Sequence, residues 1–136
     1  QLGHSTSVVR INDDMNVTGN TFMSGTLNVV GAINSYADIT AYYTSDRRLK
    51  DNIQPIEKAL DKVNKLGGYE ANKTKAIHAN EGYDIGIIAQ EIEVVFPELV
   101  TTRANGYKAV KYDKLVAVLI EAVKELKVEI EELKNR

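Results

Sequence analysis

The sequence predicts an α+β chain in three parts: a segment of short strands that pair between chains, a small mixed domain, and a long C-terminal coiled-coil helix. Three observations carry this expectation. Residues 1–44 hold one basic residue, Arg10, and three acidic ones, Asp13, Asp14 and Asp38, whereas residues 45–136 hold sixteen of each sign. The apolar pattern changes from alternation to helical spacing at the same boundary, Ser45. Towards the end, Tyr112, Val116, Leu119, Val123, Leu126, Ile130 and Leu133 follow one another in alternating steps of four and three.

In the first part, "MNVTG" (Met15 to Gly19) returns twelve residues later as "LNVVG" (Leu27 to Gly31). Val17, Phe22, Leu27, Val29 and Ile33 are spaced among Thr, Asn and Gly as in short strands bounded by turns. So little large apolar surface cannot close a core alone, and such strands need copies beside them. The composition also suits a flexible linker; the repeat and the spaced apolar residues favour strands.

Beyond Ser45, "IQPIEKALDKVNKLGG" places Ile56, Leu60, Val63 and Leu66 on one helical face, with Pro55 as the first helical residue and Gly67 as the stop. A strand is expected around "GYEANKT". "GYDIGIIAQEI" then reads as a strand, Tyr83 to Ile88, leading into a helix from about Ala89 to Val95 that ends before Pro97. In "GIIAQEI", Gly86 suits a close backbone approach, and Gln90 and Glu91 suit capping or interface roles. "ANGYKAVKY" has the Asn-Gly of a tight hairpin. The last segment, about 111–135, is a heptad helix with Val, Val and Ile at a and Tyr and Leu at d, flanked by Glu and Lys. Its residues up to Val123 can pack on the chain's own core, while those beyond Glu125 have too little remaining chain to cover them. That argues for self-association, and the a/d pattern by itself leans weakly towards a parallel dimer.

Composition excludes several functions. A net charge of −2 and a pI near 5.7 give no basic field, so neither nucleic acid nor an anionic membrane is expected as a partner. There is no cysteine, and His4 and His78 stand apart without metal-ligand spacing, so no metal site or cofactor is expected. No apolar run approaches the ~20 residues that span a bilayer, so the chain reads as soluble or as a soluble fragment.

The stretch "YYTSDRRLKDNIQPI", Tyr42 to Ile56, admits two readings. In one, Ser45 caps a helix with Asp46 in its first turn. In the other it is a nucleophile served by Lys50, with Arg47 and Arg48 favouring the free amine or stabilising an oxyanion. At 100° per residue, positions 45 and 50 lie about 140° apart around a helix, so a dyad requires a loop here or a lysine from a neighbouring chain.

"SDRRLKDNIQPI" (45–56), "GIIAQEI" (86–92), "VFPELV" (95–100) and "YDKLVAVLIEAVKEL" (112–126) occur in the order and at the spacing found in the C-terminal intramolecular chaperone domains of phage tailspikes, tail fibres and endosialidases. The resemblance covers essentially all of 45–136. It implies a homotrimer that helps the shaft ahead of it to trimerise and fold, then releases itself by autoproteolysis before the motif's serine. Residues 1–44 would then be the end of a trimeric β-structured fibre shaft, and 45–136 the chaperone and autoprotease domain. Carried onto this sequence, the scissile bond is Thr44–Ser45, Ser45 the nucleophile and Lys50 the general base. Asp46, Arg47, Arg48 and Asn52 are the supporting positions, and Val116, Leu119, Val123, Leu126, Ile130 and Leu133 form the trimer seam. The shaft is the folding client; neither nucleic acid nor membrane is a partner. The resemblance places assembly in the host cytoplasm and the mature shaft in the virion tail, without the released domain. A trimerisation domain that never cuts, with Ser45 as a cap, is the rival; a transcription-factor precursor using the same domain is disfavoured because no DNA-binding or membrane segment is seen.

Overall fold

The computed structural model describes residues 8–73 and 82–136, so that His4 and His78 lie outside the described residues. The chain forms two compact units, Gln1–Thr40 and Ala41–Arg136. In the first, every described residue is exposed and none lies in a helix or strand. The short strands expected between Val17 and Ile33 therefore do not form within one chain. The physical reason is that Val17, Phe22, Leu27 and Val29 all remain exposed, so no packing within the segment compensates the cost of ordering a strand.

The second unit is α+β. Helix α1 (Ala59–Val63) is followed by strands β1 (Tyr69–Lys73) and β2 (Gly82–Gly86), helix α2 (Ala89–Val95), strands β3 (Val100–Thr102) and β4 (Lys108–Val110), and helix α3 (Leu115–Lys134). Short 3-10 turns cover Arg47–Leu49, Pro97–Leu99 and Tyr112–Lys114. The strands make two separate antiparallel pairs, with Tyr69 opposite Gly86 in one and Val100 opposite Val110 in the other. The second pair turns through residues 103–107. Gly106 there takes a φ of 85°, and Asn105 Oδ1 accepts from the Tyr107 amide at 3.0 Å.

Ile92, Phe96, Leu99 and Val118 form the core, with Ile56, Val63, Leu66, Ile87, Val95, Val100, Val110 and Leu115 packed around them. Ile92 comes from α2, Phe96 from the residue between α2 and the Pro97–Leu99 turn, Leu99 from the end of that turn, and Val118 from α3. The core thus forms where the middle of the chain meets the first half of the long helix. Lys62 closes one side, its ammonium 5.2 Å from the Phe96 ring centroid.

Two helix starts differ from expectation. Pro55 does not open α1, because Lys58 takes a left-handed conformation (φ 53°, ψ 37°) that holds the helix back to Ala59. The new start is capped from a distance: Ala59 N–H donates to Glu125 Oε1 at 3.0 Å, and Leu60 N–H to Glu125 Oε2 at 2.6 Å. The long helix begins at Leu115 rather than 111, since Tyr112–Lys114 is a 3-10 turn. Tyr112 is drawn aside by its hydroxyl, which accepts from the Ile87 amide at 3.4 Å and stands 3.0 Å from where a Cβ on Gly86 would lie. A side chain at residue 86 would crowd that approach.

The face of α3 that meets the core is not the heptad seam. Val118 and Ala122 are buried, whereas Val116 and Val123 are 58% and 64% exposed. At ~100° per residue the seam centres about a quarter turn from the buried line. Leu119, Leu126, Ile130 and Leu133 are exposed along it.

Candidate active site around Ser45 and Lys50

The order of events in "TSDRRLKDN" explains how residues 45 and 50 meet. Asp46 is extended (φ −65°, ψ 132°), Arg47–Leu49 make one 3-10 turn, and Lys50 is extended again (φ −130°, ψ 129°). The turn closes through Leu49 N–H to Asp46 O and Lys50 N–H to Arg47 O, both 3.1 Å. A single tight turn between two extended residues folds the chain back, which a continuous helix cannot do at this spacing. Lys50 Nζ donates to Ser45 Oγ at 2.8 Å. The two residues proposed from sequence as nucleophile and base are thus hydrogen-bonded within one chain, without a neighbouring subunit.

The cap of this turn is Asp46, not Ser45. Asp46 Oδ1 accepts from the Arg48 amide at 2.8 Å, and the carboxylate also takes two bonds from the Arg48 guanidinium, Nε at 3.1 Å and Nη2 at 2.8 Å. Ser45 is released from the capping role and its hydroxyl is available to Lys50. The Arg48 side chain, then its amide, holds the Asp46 carboxyl below its ordinary value, and the same contact raises Arg48. Arg48 is thereby committed to shaping the turn. The Arg47 side chain makes no hydrogen bond or ion pair with any described residue. Asn52 sits in the left-handed region (φ 51°), where asparagine is among the better-tolerated residues, and turns the chain away after Lys50. Every residue from 44 to 55 is exposed in the single chain.

Two further contacts tie the domain together. Tyr43, two residues before Ser45, lies under Lys114, whose ammonium is 3.9 Å from the ring centroid. Glu91 of "GIIAQEI" accepts from the Gly67 amide at 3.1 Å and from the Tyr69 hydroxyl at 2.7 Å, which raises Tyr69. Glu91 is therefore a brace between α2 and the start of β1. Among the described residues there is no cluster of three or more metal-ligating side chains, and no helix is long and apolar enough to cross a membrane.

Comparison with known proteins places this loop at the start of a family match. Residues 45–101 match the S74 peptidase family, described as the chaperone of endosialidase. The chain is also 39% identical over 114 residues to the long tail fibre protein Gp37 of Enterobacteria phage K3, a match covering 78% of this chain and 9% of that protein. The counterpart from Enterobacteria phage T2 gives 39% over 114 residues, covering 78% and 8%. That from Enterobacteria phage Ox2 gives 35% over 107 residues, covering 74% and 42%. The chain therefore spans less than a tenth of the length of the first two of these fibre proteins. The four ordered sequence motifs and the family match that begins at Ser45 agree: residues 45–101 carry the chaperone-of-endosialidase domain, in a chain that is similar over most of its length to the long tail fibre protein Gp37 of several phages.

Proposed function

We propose that residues 45–136 trimerise and fold a phage fibre shaft and then release themselves by cutting the Thr44–Ser45 bond. The observation that carries the cleavage is the 2.8 Å hydrogen bond from Lys50 Nζ to Ser45 Oγ, in a loop freed for it by the Asp46 cap. The reaction balances on these residues. Lys50, as the free amine, takes the Ser45 hydroxyl proton while Oγ bonds to the Thr44 carbonyl carbon. The C–N bond then breaks, the proton passes to the departing amide nitrogen, and Thr44 is left as an ester on Ser45. Water hydrolyses the ester, giving a Thr44 carboxylate and a free Ser45 with its amino group.

A lysine acts as a base only without its extra proton, a form favoured by desolvation and nearby positive charge. The assembled trimer supplies the enclosure, since the loop is exposed in one chain. The exposed seam of α3 supports the trimer, because a row of Val, Leu and Ile turned away from the chain's own core gains from burial against copies of itself. Joining three chains at one end makes subsequent strand pairing in the shaft effectively intramolecular. Such pairing suits residues 8–40, which bury nothing alone. Assembly takes place in the host cytoplasm, and the cut leaves the shaft in the virion tail.

The test is an intact-mass spectrum of the expressed chain beside Ser45→Ala and Lys50→Ala. Fragments ending at Thr44 and beginning at Ser45 are expected in the parent alone. A single uncut mass in all three would leave a trimerisation domain without peptidase activity.

A further inference from the structure

Lys114 is an oddly placed cation. It immediately precedes α3, where the aligned peptide dipoles favour negative charge, and the first turn of the helix holds no acidic residue to offset it. No carboxylate among the described residues pairs with it; its ammonium rests on the face of Tyr43, 3.9 Å from the centroid. Tyr43 in turn is joined directly to Thr44, whose carbonyl carbon Ser45 attacks in the proposed reaction. On the other side, Lys114 lies two residues before Val116, the first helical residue of the exposed seam. One contact thus links the foot of the seam helix to the residue preceding the scissile peptide.

We infer that Tyr43 and Lys114 are positioning residues for the self-cleavage. Their contact fixes the segment upstream of Thr44–Ser45 against the start of α3, so the carbonyl of Thr44 is presented to Ser45 Oγ once the seam helix is set. The inference rests on the proposed dyad and deepens it. Ser45 and Lys50 are held by the local turn of residues 46–49, but that turn places no constraint on the chain before Thr44. An attack on a carbonyl depends on the position of both partners, and loss of alignment on one side slows it even with the nucleophile and base in place. The Lys114–Tyr43 contact supplies the other side. It also offers a route by which seam packing governs cutting without touching the dyad.

The experiment follows the first-order appearance of the fragment beginning at Ser45 in the trimer fraction of the full chain, isolated by size exclusion with light scattering. Tyr43→Leu and Lys114→Met are expected to slow the rate about three- to five-fold, the value of one exposed cation–π contact. The double variant should be no slower than either single, because both remove the same contact. Tyr43→Phe and Lys114→Arg, which keep a ring face and a cation, should cut at close to the parental rate. A merely structural role predicts none of this rescue. Should Tyr43→Leu fail to trimerise, Lys114→Met and Lys114→Arg carry the same comparison alone. Parental rates in the Leu and Met variants, multiplied effects in the double variant, or equal slowing by Phe and Arg would each overturn the positioning role. If the parent itself stays uncut, the dyad reading falls and takes this one with it; if the parent cuts and the variants keep pace, the positioning role alone is lost.

Discussion

The two halves of α3 carry similar apolar residues and use them differently. From Leu115 to Ala122 the helix turns Val118 and Ala122 into the domain, beside Ile92, Phe96 and Leu99. From Val123 onward its Val, Leu and Ile residues are exposed, with Glu125 reaching back to cap α1 as the last strong tie to the domain. The first half buries apolar residues within one chain and the second does not. Hydrophobicity alone therefore does not say which residues stabilise a protomer; the face of the helix and the chain available to cover it decide.

That contrast can be broken most sharply at Leu119, which lies on the seam in the half that also packs on the core. Leu119→Asp should abolish trimer formation by light scattering and, with it, appearance of the fragment starting at Ser45, although Ser45 and Lys50 are intact. The helical circular dichroism of the short domain should persist, because Val118 and Ala122 still face inwards. Efficient cutting by this variant would sink the coupling of cleavage to assembly. The opposite case is Ile92→Ala, which leaves the seam untouched and hollows the core. Ile92 is wholly buried, so a loss of about 2–5 kcal/mol is expected in urea unfolding, a large share of the stability of a small domain. A loss below about 1 kcal/mol would mean that the trimer rather than this core holds the protomer together.

Much of this architecture is legible in the sequence because it is local. The strand-to-helix step at "GIIAQEI", the halt before Pro97, the Asn105-Gly106 turn and the long amphipathic helix each follow from residues close together in the chain. The true start of α1 is not, since its cap is a carboxylate 66 residues away and Lys58 is an unexpected left-handed residue. Nor is the meeting of Ser45 with Lys50: helical periodicity sets them on different faces, and only the family resemblance pairs them. The geometry that joins them depends on one turn capped by Asp46, in which a serine followed by an aspartate gives no sign of which residue is the cap. The strands expected between Val17 and Ile33 are absent for another reason: none of the apolar residues there is buried within the chain.

The smallest expected effect sharpens the picture of that turn. Asp46 is depressed by Arg48, so its contribution to the loop is fully present above the ordinary carboxylate value of 3.8 and is lost only as the pH falls through the lower, folded value. Between pH 7 and 5 the loop should not change. An NMR titration of the Asp46 carboxyl carbon should give a midpoint below 3.8. A midpoint at or above that figure would mean that the bidentate contact with Arg48 does not persist in solution.

The carboxylate of Glu125 has a consequence in time as well as in space. A ribosome delivers residues 59 and 60 long before residue 125, yet the first amide groups of α1 find their acceptor only on that later side chain. Until the last helix has emerged and formed, the opening turn of the domain stands with its donors facing water. Completion at the front of the domain therefore waits for synthesis at its back, and an unfinished chain is kept from presenting a finished domain.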